Sequence, residues 1–535
     1  MRAKPHLLLY PAAGLTALLV LHTYWYLYQS FTNVPFWDQW LLIDEIRRFR
    51  EGGAGWSWLW TPYWGQRPFV FRLVLLATDR FFRLSNLPLV LVSAAAQLSM
   101  PAVLAAAAGS LFPASRRLAA LCAIASAHLL LSSLQMEVLF PASVNHALGY
   151  ASATAALIVF PRHRMAGILL AVFCTGCLAT GLLLFPAFAV EAWISRARAK
   201  TFAALLATAA ILASLYSIGY TRPAMGMGIG GALRHPVQAL KIIALVLGGP
   251  VTLFSGPLGI VTGAVGLAAA FCFAARHLRR GSPSSAARSL TLLACFIAAT
   301  AVSLAVGRYS PDWLAAMHGS QVLPGRYLLP AFLFWSALFA LALNAGRAAT
   351  AVVSVVVLAM SFGTWPWQWR VSREWAQYFQ RSDAIASGFL LGVSDQARMG
   401  AVMPDDAVRN RVVEYLRRNR LAIFAEPRAR WIGRGIAEIR KPAGNCFAAA
   451  TAELVEGNAG AVGVSGTLPV NARDVLIANE SGTVIGLGRS MPAQSESGDP
   501  LEFFGYARAS QPAGMRLFAL PPGGPACDAT PQSGF

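Results

Sequence analysis

LLLYPAAGLTALLVLHTYWYLY occupies residues 7–28. Wound as a helix at about 1.5 Å per residue, this run reaches across a hydrocarbon core of ~30 Å. It is too long for the apolar centre of a signal peptide and lacks a small-residue cleavage site, so it reads as a retained membrane helix. Comparable runs recur as far as residue 363, and the 535-residue chain is 56% hydrophobic and only 13% charged. A mean hydropathy of +0.52 excludes an ordinary soluble globular protein. The expected fold class is a polytopic α-helical membrane protein, with a membrane body over residues 1–364 and a soluble C-terminal remainder.

Basic residues orient the body. Arg2 and Lys4 precede the first run, and further clusters stand at Arg116-Arg117, Arg162/Arg164, Arg196/Arg198/Lys200, Arg276/Arg279/Arg280 and Arg347. Positively charged ends stay cytoplasmic. Helices placed between these anchors fall near 7–28, 86–110, 118–135, 144–160, 165–178, 181–195, 202–220, 255–276, 288–307, 327–345 and 347–364, eleven in all. The fifth and sixth are short and form either two crossings or a re-entrant hairpin. With a cytoplasmic N-terminus, an odd number of crossings puts the C-terminal domain outside. The net charge of +20 is then largely topological, and its remainder suits an anionic lipid or lipid phosphate; a nucleic-acid partner is excluded.

Residues 365–425 read as helical: VRNRVVEYLRRNRLAIF (408–424) sets Val408, Val412, Val413, Leu416 and Leu421 at helical spacing. Over 426–535 short alternating runs separated by Gly, Asn, Asp and Pro predict a small β-sandwich, capping the body or binding glycan. Five of the seven cysteines lie in or beside apolar helices, and the CxxC pair Cys174/Cys177 has no partners that would complete a zinc site. Cys446 and Cys527 bracket the soluble domain, where an extracytoplasmic location allows a disulfide.

Residues 1–364 hold eight acidic side chains: Asp38, Asp44, Glu45, Glu51, Asp79, Glu137, Glu191 and Asp312. Half fall within residues 38–51 of the first outer loop (29–85), which makes that loop the first place to look for chemistry. The segment after Asp38 predicts an amphipathic interfacial helix with Leu42, Ile46 and Phe49 on one face; Asp44 can pair with Arg48 at i,i+4. Asp38 is different: its nearest basic residue is nine positions away, and Trp37 and Trp40 flank it. It can serve as the helix N-cap or as a functional acid within an aromatic cage. Further along, five aromatics precede Gly65-Gln66-Arg67-Pro68, where a helix starts at the proline. Arg67 and Arg72 sit on the side that positive-inside statistics keep poor in arginine, and phosphate oxygens match their planar forks.

PFWDQW (35–40), GQRPFVFRL (65–73), LQMEVLF (134–140), TGLLLFP (180–186) and GRYS…PGRYLLP (307–330), in this order, resemble multi-pass bacterial inner-membrane proteins of the GT-C glycosyltransferase superfamily. The resemblance implies a sugar donor carried on polyprenyl phosphate, an extracytoplasmic (periplasmic) glycan, lipid or protein acceptor, inversion at the anomeric carbon, and Asp38 as the catalytic base. Similar sequences often carry an acid or histidine before the arginine of the second motif. Here Gln66 stands there, which puts a second carboxylate and a divalent metal in question.

Physical reasoning adds candidates. A carboxylate takes the acceptor's proton, and arginines steady the departing lipid phosphate: Arg308 and Arg326 with Tyr327, alongside Arg67 and Arg72. Gln135, Glu137 and His146, in and after the outer loop following the third helix, would support the acid or hold sugar, as would Trp37, Trp40 and Gln66. Snorkelling arginines and interfacial tyrosines account for the same pattern. A lipid-linked saccharide flippase and a polysaccharide polymerase or ligase remain alternatives. The first predicts charges or broken helices at mid-membrane in two related halves, and no internal repeat is present.

Overall fold

The computed structural model describes residues 9–63, 65–220, 226–252, 254–279, 284–309, 325–458, 460–491 and 501–532. Arg2, Lys4, Arg280 and Asp312 lie outside them. The chain divides into two compact units, one of Met1–Trp25, Ser57–Val74 and Val90–Ser372, the other of Tyr26–Trp56, Leu75–Leu89 and Arg373–Phe535.

The first unit is helical. Leu87–Leu111, Ala199–Ser217, Gly256–Leu278, Ser285–Arg308 and Gly325–Leu343 are long and apolar enough to cross a membrane, marking a multi-pass membrane protein. Two bent pairs raise the candidates to seven: Arg116–Leu130 turns by 64° into Ser133–Leu139, and Arg347–Gly363 by 48° into Trp365–Leu391. The count of eleven is therefore not reached by length and composition. Arg164–Cys177 and Ala179–Ile194 are short, while Val144–Val159 has only 16 residues and carries Asn145 and His146. Leu9–Gln29 is 21 residues long, but His22 and Tyr24, Tyr26 and Tyr28 dilute its hydropathy. Small residues let helices approach closely: a methyl group at Gly263 would strike the carbonyl of Ala244, and one at Gly259 the side chain of Thr252. Glu191 lies buried between helices and accepts from the Arg288 guanidinium at 3.0 and 3.1 Å.

The second unit is built on one eight-stranded sheet: β1 Pro442–Asn445, β2 Ala449–Leu454, β3 Val462–Leu468, β4 Asp474–Ala478, β5 Val484–Met491, β6 Leu501–Ala507, β7 Arg516–Leu520 and β8 Ala526–Asp528. Their order is β1-β8-β7-β4-β5-β6-β3-β2. Only β1 and β8 pair in parallel; the rest are antiparallel, and the sheet curls into a half-barrel. This replaces the expected sandwich. Alternate residues of one strand enter different cores: Val475, Ile477, Leu517 and Ala519 join one, while Leu476, Ala478, Phe518 and Leu520 pack with Ile436, Leu390 and Trp431. Helical and irregular segments thus cover the face that a second sheet would have covered.

Helix Asp406–Asn419 forms as expected, with Val408, Val412, Tyr415 and Leu416 buried. It pairs with helix Asp38–Arg50, Arg418 meeting Glu51 at 2.5 Å and Arg411 meeting Asp44 at 3.5 Å. The helix expected to lie on lipid thus spends Leu42, Ile43 and Ile46 on protein burial. Beneath the sheet, Asp383 accepts from Thr32 at 2.9 Å and from Arg428, and it meets Arg489 at 2.5 Å.

Cys446 and Cys527 form a disulfide with Cα atoms 5.9 Å apart, joining β8 to the chain leaving β1. It closes a loop spanning 81 positions, which restricts the unfolded ensemble by roughly 2–5 kcal/mol. Reduction with dithiothreitol is expected to lower the melting temperature of the purified protein, and the Cys446→Ser/Cys527→Ser variant to show that lower value without further response to reductant. A melt indifferent to both would contradict the loop-closure account.

Candidate active-site residues

In the second unit, Asp38 is the first residue of helix Asp38–Arg50. The N-cap is Trp37, at φ 44°, and no side chain caps the helix, so the capping role is not the one Asp38 plays. A tryptophan in the left-handed region is sterically disfavoured and is held there by its surroundings. Trp37 stacks on Phe36 at 4.6 Å between centroids, and Phe36 in turn meets Phe379 at 5.2 Å. Trp40 is fully buried, edge-on to Phe389 at 5.7 Å. Neither tryptophan builds the expected cage; both are anchors that fix where the helix begins. Between them the Asp38 side chain is exposed.

The other carboxylates of the loop are occupied. Asp44 meets Arg47 at 2.9 Å, Arg48 at 3.6 Å and Arg411 at 3.5 Å, Glu51 meets Arg47 and Arg418, each at 2.5 Å, and Asp79 meets Arg50 at 2.6 Å. Glu45 is engaged as well. Asp38 alone of these takes no hydrogen bond or ion pair among the described residues.

In the first unit, residues drawn from three stretches of sequence converge. Glu137, on the short 3-10 helix Ser133–Leu139, is buried and accepts from the Gly325 amide and from Arg326 Nη1, the latter at 2.6 Å. Arg326 also lies 5.2 Å over the ring of Tyr327. That ring meets His146 and Tyr309, each at 6.2 Å. His146 Nδ1 bonds Asn145 at 3.0 Å. Arg308 ends helix Ser285–Arg308, half-buried, and with Arg326 acts electrostatically on His146 and Tyr309. Glu137 neutralises Arg326; Arg308 has no acidic partner among the described residues. Gln135, fully buried beside this group in sequence, has neither amide atom hydrogen-bonded among the described residues. A buried amide left so calls for water or ligand.

Arg67 and Arg72 do otherwise than expected. The Arg67 guanidinium is turned inward onto the carbonyls of Trp60, Tyr216 and Ile218, with Nη2 to Tyr216 O at 3.0 Å. Arg72 donates to Thr61 O at 2.7 Å and lies over Trp58 at 5.5 Å. Both are buried braces of the 56–61 turn, and the phosphate contact expected of them has no support in this geometry. Gln66 closes the turn with its backbone, exchanging bonds with Tyr63 at 2.7 and 2.9 Å. Among the described residues no three His, Cys, Asp or Glu side chains converge to form a ligand set for a divalent cation. Sequence reasoning missed the Asp383–Arg428–Arg489 cluster, whose members carry no motif, and the bracing carbonyls around Arg67, which no spacing rule reveals.

No family model matches the chain, and comparison with curated proteins and with solved structures finds no match either.

Proposed function

We propose that this protein is a membrane glycosyltransferase of GT-C type that moves a sugar from polyprenyl phosphate to an acceptor outside the cytoplasm, with Asp38 as general base. One observation carries the reading: of the carboxylates in the first outer loop, Asp38 is the one left without a partner among the described residues, on a helix start fixed by two tryptophan anchors. A carboxylate committed to an ion pair is a poor proton acceptor; an uncommitted one on a rigid element can take the acceptor's proton as its oxygen attacks the anomeric carbon. Arg308 is the corresponding candidate for the leaving phosphate, because its charge is uncompensated. The disulfide favours an oxidising compartment, hence a periplasmic C-terminus, for the soluble domain; with the basic N-terminus (Arg2, Lys4) in the cytoplasm, the number of crossings is odd. A body of eleven spans satisfies that count.

The test is incubation of purified protein with labelled polyprenyl-phosphoryl sugar and an acceptor extract. Covalent transfer supports the enzyme; movement of the lipid across vesicles without product supports a flippase instead. Arg308→Gln is expected to lower kcat/KM for the donor by about 10- to 100-fold, the worth of a charged hydrogen bond to phosphate, without lowering the melting temperature. Arg326→Gln, by contrast, strands the buried Glu137 carboxylate and is expected to destabilise the fold. An Arg308→Gln enzyme with unaltered donor kinetics would remove that residue from the phosphate site.

A further inference from the structure

The second unit holds an open cavity of about 820 Å³ whose lining includes Arg83, Arg417, Asn419, Arg420, Phe424 and Arg430 and no acidic residue. Arg83 follows helix Phe69–Phe82, Arg417 and Arg420 lie at and just past the end of helix Asp406–Asn419, and Arg430 ends the 3-10 turn Pro427–Arg430. The Ala422 amide donates to the carbonyl of Arg83, at 2.7 Å, and ties the first of these segments to the second.

Four guanidinium groups repel one another, and the ordinary remedies are mostly missing. Arg417 is partly satisfied: it donates to Phe389 O at 2.8 Å, approaches Glu414 at 3.7 Å and lies 5.5 Å over Phe424. Arg83, Arg420 and Arg430 are exposed and make no ion pair among the described residues. The acid nearest in sequence to Arg430, Glu426, is taken by Arg428 at 2.6 Å and Asn33 at 2.9 Å. A helix C-terminus favours nearby cations, but its half charge offsets only a fraction of three. The backbone is also held against its preference here: Arg83, Leu84, Arg420 and Ala422 have φ between 50° and 54°, four of the six described non-glycine residues with positive φ. At the end of a helix that conformation ordinarily falls to glycine or asparagine; an arginine at Arg420 keeps a charge at the rim instead.

We infer that this cavity binds a phosphate-bearing anion. Planar guanidinium forks match phosphate oxygens in pairs, and the exposed forks of Arg83, Arg420 and Arg430 make no ion pair among the described residues. The phosphate comes either from a soluble molecule or from a lipid headgroup; the chemistry of recognition is the same. The inference is independent of the role assigned to Asp38.

The experiment uses the full-length protein in neutral detergent, titrated with inorganic pyrophosphate by calorimetry, beside the Arg83→Gln/Arg430→Gln variant. These two side chains make no hydrogen bond or ion pair among the described residues, so their replacement leaves the fold intact, which circular dichroism and size-exclusion chromatography monitor. The expected result is saturable binding that weakens with salt and falls at least about tenfold in the variant. In a second arm, both proteins enter nanodiscs of phosphatidylcholine with or without phosphatidylglycerol. Stabilisation by phosphatidylglycerol that the variant loses, without pyrophosphate binding in detergent, assigns the site to lipid headgroups. Equal pyrophosphate binding by the two proteins, or no response in either arm, overturns the inference. Arg420→Asn is a third variant that tolerates the left-handed backbone and is expected to weaken whichever response is seen.

Discussion

Asp38→Asn is expected to slow sugar transfer by about 10²- to 10⁴-fold, the usual worth of a positioned general base, with little change in the melting temperature. Asparagine keeps the shape and one acceptor oxygen but cannot take a proton at neutral pH. Structurally the exchange is mild. Asp38 is exposed and makes no ion pair or capping bond among the described residues, so the fold loses only its favourable charge at the helix N-terminus, about 0.3–1 kcal/mol. Asp44→Asn supplies the contrast. That carboxylate is buried and meets three arginines, so its removal is expected to lower stability first. Transfer assays normalised to folded protein, with labelled polyprenyl-phosphoryl sugar as donor, separate the two effects. Wild-type turnover by purified Asp38→Asn would mean that the carboxylate only marks the start of a helix.

How much of this was legible beforehand depended on the range of the interactions. Periodicity and apolar run length are local properties, so the helical body and the 406–419 helix emerge from spacing, and the disulfide pair emerges from two cysteines that bracket the C-terminal region. The sheet was harder. Its strands β4 and β7, DVLIA and RLFAL, are buried at four of five positions each, a pattern that follows from cover on both faces. One reading of such runs is a sandwich; a sheet lined by helix Trp365–Leu391 fits as well, and only tertiary contacts choose between them. For the candidate site the split is similar. Arg326, Tyr327, Glu137 and His146 could be named together because each lies at or near a helix end, and helix ends at one end of a bundle are neighbours. For Arg67 and Arg72 the sequence does not separate a buried guanidinium bracing carbonyls from one awaiting phosphate, because the two have identical sequence signatures. Likewise Trp37 and Trp40 looked like a cage when they were packing against Phe36 and Phe389.

The second large effect lies in Asp383, which no motif marks. Its carboxylate is buried between the Arg428 and Arg489 guanidinium groups, and Thr32 adds a bond at 2.9 Å. Burial by itself would push the carboxyl up; the charge of Arg428, then that of Arg489, and the bonds from Arg428 and Thr32 outweigh it and hold the group at about 2, against an ordinary 3.8. In Asp383→Asn two buried cations lose their shared counter-ion. Such losses cost about 3–5 kcal/mol, a large share of the roughly 5–15 kcal/mol that holds a domain. Arg428 retains Glu426 and Arg489 retains Asp474, so the lower end of that range is the expected one. The pH dependence has a definite sign. Since the folded group binds its proton less readily than the unfolded one, the stabilisation is complete above about pH 4 and is lost as the pH falls toward 2, a change of about 2 kcal/mol. Urea melts of the full-length protein in detergent, followed by hydrogen exchange of strands β3–β7, should show this acid loss in the wild type and its absence in Asp383→Asn, whose stability is already reduced at neutral pH. A variant that melts like the wild type would mean that Thr32, Arg428 and Arg489 find other partners, and that residues 26–56 do not depend on this ion cluster for their place in the second unit.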